Sequence, residues 1–200
     1  IDAGKLASLL KEHAVRIGVR HIVGTVTSVD AGEHGIEAVH TREQGRLEAD
    51  FFIDCSGFSG LLIERTLEEP WVSLQQYLPC DRAVACQIPH AAGNAPIRSY
   101  TTATAKESGW IWEIDLATRR GTGFVYASDF CSPAEAERVL REHVGDAGGT
   151  QPVRHLEMRV GHRCNALVKN CLALGLSGGF VEPLESTGIY LIEHALQLFI

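Results

Sequence analysis

CLALGLSGGFVEPLESTGIY, residues 171–190, reads as a buried strand, a glycine turn and the start of a helix in immediate succession. Leu172, Ala173 and Leu174 form a short apolar run, and Gly175, Gly178 and Gly179 free the backbone to turn tightly or to approach a ligand closely. Glu182 and Glu185 flank Pro183 and Leu184, and Ser186 is placed to cap a helix that begins at Thr187, Gly188 and Ile189. Unpaired N–H groups at such a start make an anion site, and here a carboxylate stands beside it. The spacing alone leaves a structural reading open. Strand, turn and capped helix recur throughout α/β proteins, where an acidic residue often only complements the helix dipole.

Beyond this stretch, GIYLIEHALQLFI continues as an apolar helical run without a cap or breaker, and the sole methionine is Met158. These two features give the expectation of an internal segment of a longer enzyme. Before it, alternation over residues 82–89 and 98–105 predicts strands of an antiparallel sheet, separated by a loop at 90–96. In the next strand, residues 109–116, a period of two puts Trp110, Trp112, Ile114 and Leu116 on one face. Two tryptophans on one face serve core or interface packing more often than a binding platform. Residues 121–129 are expected to pair with this strand across a turn at Arg119, Arg120 and Gly121. Ser132, Pro133, Ala134 and Glu135 spell a capping box for a helix to about His143, with Glu137, Arg138 and Arg141 on its solvated face, and residues 153–160 return as a strand.

At the other end, Asp2 caps a helix in which Leu6, Leu9 and Leu10 recur at helical spacing and which Gly18 ends. A strand over residues 19–29 follows, with Ile22 and Val26 as candidates for its buried face, and then strands over 35–41 and 46–54. The last of these leads into DCSGFSG, residues 54–60, where Gly57 would let the backbone approach a cofactor; a plain turn explains it equally well.

Net charge −7 disfavours a nucleic acid or an anionic membrane as partner, since neither is attracted to such a surface. The six cysteines contain no CxxC pair and read as reduced thiols of a cytoplasmic protein. The nine histidines include no HExxH, so no metal is assigned.

Residues 180–189, FVEPLESTGI, match the signature of flavin-dependent tryptophan halogenases without a mismatch, and Trp110, Trp112 and Ile114 resemble that family's WxWxIP motif. Asp115 stands where the motif has proline. The resemblance covers nearly the whole chain, and implies a mixed α/β, flavin monooxygenase-type fold with an antiparallel substrate-side sheet. FAD-binding parts are expected at about 1–67 and 168–200 and the sheet at about 80–165, without the family's GxGxxG unit, its catalytic lysine or its C-terminal substrate region. By the same resemblance Glu185 is catalytic, Thr187 and Gly188 hold chloride or bromide, and Val26, Gly57, Leu176 and Ile189 touch FAD. Trp110 and Trp112 keep substrate away from the flavin. The implied activity uses reduced FAD, oxygen and halide to make hypohalous acid, which halogenates an aromatic substrate such as tryptophan. The implied partners are that small substrate and a separate flavin reductase, with room for a homodimer. Two other readings are carried alongside: a flavin hydroxylase or reductase of the same fold, against which Ser56 and Leu176 count because hydroxylases carry aspartate in the corresponding fingerprints, and a noncatalytic ligand-binding remnant in which Glu185 only caps a helix.

Overall fold

The computed structural model describes residues 2–90, 97–181, 183–184 and 187–199. Helix α1 (Ala3–Arg16) starts where Asp2 accepts a hydrogen bond from the Lys5 N–H, and it ends at Gly18, whose φ of 101° suits a residue without Cβ. None of its described side chains is buried, and Leu9 and Leu10 are 60% and 58% exposed. Strands β1 (Val26–Gly32), β2 (Gly35–Thr41) and β3 (Gly45–Glu48) form an antiparallel meander. The strand expected from residue 19 thus begins only at Val26. Before it, Val19 N–H closes back onto Ala14 O at 2.9 Å and Thr25 N–H donates to the Glu43 carboxylate at 2.6 Å, so these two donors are satisfied without a ladder.

The strand expected over 46–54 is also divided. After β3 the chain leaves the meander, and β4 (Phe52–Asp54) joins another sheet. Asn170 makes this switch possible: its side chain donates to Ile36 O and Asp50 O and accepts from Ile36 N–H, while its backbone O accepts from Phe52 N–H. The carboxylate of Asp54, itself buried, then collects the N–H groups of Ser56, Leu62 and Ile63 at 2.8–2.9 Å and pins the following turn, Gly57–Ser59, to the end of β4.

β5 (Trp71–Ser73) leads to the largest layer, built from β6 (Arg82–Pro89), β7 (Thr102–Lys106), β8 (Gly109–Asp115), β9 (Arg119–Tyr126) and, beyond helix α2 (Pro133–Val144), β10 (Val153–Glu157). These strands lie in the order β10-β6-β9-β8-β7 and every pair is antiparallel. The β8–β9 turn falls at residues 116–118, closed by Leu116 N–H to Arg119 O at 2.8 Å, so Arg119, Arg120 and Gly121 are strand residues and not the turn expected there. Ser132 caps α2 by accepting from Glu135 N–H, with Pro133 in the first turn. Ala136 and Leu140 press the helix onto one sheet face, where Val84, Cys86, Ile111, Phe124 and Tyr126 complete a buried core. Burying each of the larger aliphatic side chains there contributes about 1.5–3 kcal/mol.

The short strands β11 (Gly161–Arg163), β12 (Leu167–Val168), β13 (Cys171–Ala173) and β14 (Gly179–Phe180) and helix α3 (Thr187–Phe199) complete the fold. β13 is buried throughout and pairs parallel with β4, Ala173 opposite Asp54, while β14 pairs with β11. Arg163, whose side chain is fully buried, ties these parts together through Ser177 O, Glu69 O and the Glu64 carboxylate. Arg159 binds the same carboxylate, and both guanidinium groups stack on Trp71 at 4.5 and 4.9 Å from the ring centre. No described helix is long and apolar enough to cross a membrane.

Candidate active site

The face of the five-stranded sheet opposite α2 is built from small residues and two indoles. Alternation along β8 sends Ile111 into the core and Trp110, Trp112 and Ile114 to the other side. The cross-strand rung through Trp112 runs to Ala103 on one side and to Gly123 and Ala85 on the other; the rung through Trp110 runs to Ala105, and to Val125, Ala83 and Leu156. The Trp112 ring occupies the space above Gly123: a Cβ at Gly123 would lie 2.1 Å from its Cη2. Trp110 and Trp112 stand 6.2 Å apart between ring centres, inclined at 60°.

This surface is one side of a cavity of about 610 Å³, whose other side is made by Phe180, Pro183, Leu184, Gly188 and Ile189. Phe180 is brought there by the pairing of β14 with β11, Phe180 opposite Gly161, and by an edge-on contact with Phe58 at 5.9 Å. The chain has reached β14 through a second turn, Gly175–Ser177, and a Cβ on Gly175 would touch Ile192 of α3 at 3.5 Å. Ser177 is buried in that turn and donates to Asp54 O and Leu174 O, so the turns after β4 and β13 are fastened to each other. Gly57 and Gly175 both take left-handed backbone, φ 71° and 70°, and a Cβ at Gly57 would meet open space. The two turns therefore lie side by side, with bare backbone open at Gly57 and with Ile192 of α3 packed against Gly175.

The expected site residues are distributed unevenly over this frame. Trp110, Trp112, Gly188 and Ile189 line the same cavity. Thr187 and Gly188 are the first two residues of α3, and a Cβ at Gly188 would meet open space. Gly57 and Leu176 lie in the paired turns, and Leu176 is exposed. Val26 belongs to the meander, opposite Thr41. Glu182, Glu185 and Ser186 lie outside the described residues, as does most of the loop expected at 90–96.

Several wall residues escaped sequence reading. Val125, Ala83, Leu156 and Met158 join the cavity because antiparallel register puts them on the rungs of Trp110 or beside them. The signal was present as alternation in each strand but needed the strand order to be used. Thr101 was missed for another reason, since it precedes β7 and has no ladder position. Asp115, at the proline position of the WxWxIP pattern, is the last residue of β8. It is buried between Arg98 and Arg120, with Arg98 Nε at 2.9 Å and Arg120 Nε at 2.7 Å. The hydrogen bond from Arg98, followed by that from Arg120, outweighs burial and holds its carboxyl well below the usual carboxylate range. The thiols near the paired turns are held in the opposite sense. Burial, reinforced by the Asp54 charge, pushes Cys171 up to about 11 and raises Cys55, which suppresses thiolate at both.

The sequence model of the tryptophan halogenase family matches residues 1–200, the entire chain. The chain belongs to the tryptophan halogenase family. Among curated relatives, this halogenase-family chain is 50% identical over 197 residues to the 7-chloro-L-tryptophan 6-halogenase KtzR of Kutzneria sp. (strain 744), covering 98% of this chain and 38% of KtzR. It is 43% identical to the tryptophan 7-halogenase RebH of Lentzea aerocolonigenes, covering 98% of this chain and 37% of RebH. Among solved structures, Tar14, a tryptophan C-6 flavin-dependent halogenase (chlorinase) from taromycin biosynthesis, superposes with a TM-score of 0.95 at 52% identity, over 98% of this chain and 39% of Tar14. The tryptophan 6-halogenase SttH of Streptomyces toxytricini gives 0.94 at 48% identity, over 98% and 38%. The mixed α/β fold with antiparallel sheets is therefore that of the flavin-dependent halogenases. The chain spans less than two-fifths of the length of these relatives.

Proposed function

We propose that this halogenase-family segment contributes the flavin turns, the halide site and the substrate-side sheet of an enzyme that halogenates tryptophan or a similar aromatic compound. The observation that carries the proposal is the cavity in which the paired tryptophans oppose Gly188 and Ile189 at the start of α3. Residues 1–67 and 168–200 hold FAD in this reading, and residues 80–165 carry the sheet; the parallel pairing of β4 with β13 supports joining the two outer portions. Val26, Gly57, Leu176 and Ile189 are its FAD contacts. Reduced FAD, delivered by a separate reductase, supplies with oxygen the oxidising equivalent that turns chloride or bromide into hypohalous acid.

The chain's own residues perform the rest. Backbone N–H groups at Thr187 and Gly188 bind the halide, because a weakly held anion is best accommodated by the partial positive charge of a helix start. Trp110 and Trp112 fill the space between flavin and substrate with indole, so that substrate does not reach the flavin and only the small oxidant passes. Glu185 orients that acid, accepts the ring proton as the carbon–halogen bond forms and the halogen–oxygen bond breaks, and passes that proton to the departing hydroxide, which leaves as water.

The test is mass spectrometry on full-length enzyme given reduced FAD, oxygen, chloride or bromide, and tryptophan, beside Glu185→Gln. A halogen isotope pattern in the parent, reduced at least a hundredfold in the variant, is expected. Hydroxylated product without halogen would replace this reading by that of a flavin hydroxylase, and full activity in Glu185→Gln would remove Glu185 from the chemistry.

A further inference from the structure

The ladder between β7 and β8 stops at Thr102 opposite Glu113, yet the chain before it, through Thr101, still forms part of the cavity wall. That stretch is held by a side chain. Asp115 accepts from the backbone N–H of Arg98 at 3.2 Å and from its Nε at 2.9 Å, and Arg98 Nη1 reaches forward to Thr102 Oγ1 at 3.0 Å. A carboxylate thus takes the place of the missing backbone rungs, and one arginine spans the gap between it and the first residue of the strand. On its other oxygen Asp115 accepts from Arg120 Nε, which ties the same carboxylate to β9; Arg120 and Arg98 also approach Glu113, at 3.0 and 3.5 Å. His143 of α2 faces Glu113 as well, at 3.5 Å.

We infer that Asp115 is a positioning residue which, through Arg98, sets where the Thr101 edge of the cavity stands relative to the tryptophan wall, and so how tightly an aromatic substrate is enclosed. The part concerning substrate rests on the halogenase reading above; the mechanical part does not. An Arg98–Asp115 pair with two hydrogen bonds to one buried carboxylate is directional, so losing the charge releases the 98–101 segment while the β8–β9 ladder and the α2 core remain.

The experiment compares the full-length protein with Asp115→Asn and Arg98→Gln. Amide hydrogen exchange is expected to accelerate at least tenfold at residues 98–102 in both variants, with Ile111 and Phe124 amides changed less than twofold. In turnover, KM for tryptophan is expected to rise about tenfold with kcat within threefold, and the double variant to be no worse than the worse single one. Unchanged exchange at 98–102, or equal acceleration across the whole sheet, would overturn the mechanical inference whether or not the parent halogenates. Faster exchange at 98–102 with KM unaltered would overturn its link to substrate.

Discussion

At Gly123 the missing side chain is what lets the Trp112 indole lie over the neighbouring strand. A methyl group there would sit within 2.1–2.7 Å of three ring atoms, so Gly123→Ala must move either the ring or the strand. Forcing extra volume into such a contact costs about 1–3 kcal/mol. Gly123→Ala is therefore expected to lower unfolding free energy by that amount in urea titrations and to shift tryptophan fluorescence emission; unchanged emission would mean the ring does not depend on this space. Asp115 teaches a related lesson about reading residues singly. In the sequence it is only a departure from a proline pattern, at what proves to be the end of β8; its two arginine partners come from positions 98 and 120 and nothing local announces them.

Elements with strong local signals were legible. Asp2 and Ser132 cap the helices they were expected to cap, the period of two on β8 sorted Trp110 and Trp112 from Ile111, and β13 is the buried strand its apolar run implied. What local patterns missed was where strands change partner. The break between β3 and β4 follows from Asn170, far along the chain, which captures the backbone on both sides of it. The β8–β9 turn was misplaced onto Arg119 and Arg120, which lie in β9 and whose salt bridges to Asp2 and Asp115 involve residues distant in sequence or on the neighbouring strand. For α2 the capping prediction can be checked directly. Ser132→Ala removes the acceptor of the Glu135 N–H and should cost about 1 kcal/mol, read as a lower denaturation midpoint with unchanged m-value. No shift in midpoint would mean that Pro133 and the packing of Ala136 and Leu140 start the helix without help.

Across the whole molecule, carboxylates of the folded state are held below their ordinary values by arginine partners. Asp115 is held by Arg98 and Arg120, and Glu64 by Arg159 and Arg163. A depressed folded value means that the stabilisation is complete above the unfolded-state value, about 4, and is lost as pH falls toward the folded one. Stability in urea is thus expected to be flat from pH 7 to about 5 and to decline steadily below that, with a shallower decline in Asp115→Asn. A rise in stability on acidification would contradict this linkage. The same scale sets the order in which the molecule can be completed. β4 and β13 are neighbours in space, but the five-stranded sheet lies between them in the chain, so their pairing closes a very long loop. Local hairpins such as β8–β9 incur little closure entropy and form early, whereas this parallel pair must wait until the intervening sheet has condensed. The turns at Gly57 and Gly175 meet only when that closure succeeds. The two turns, proposed above to approach FAD, are then the last part of the segment to be assembled, and capture of a cofactor there would mark the end of folding, after the other layers are in place.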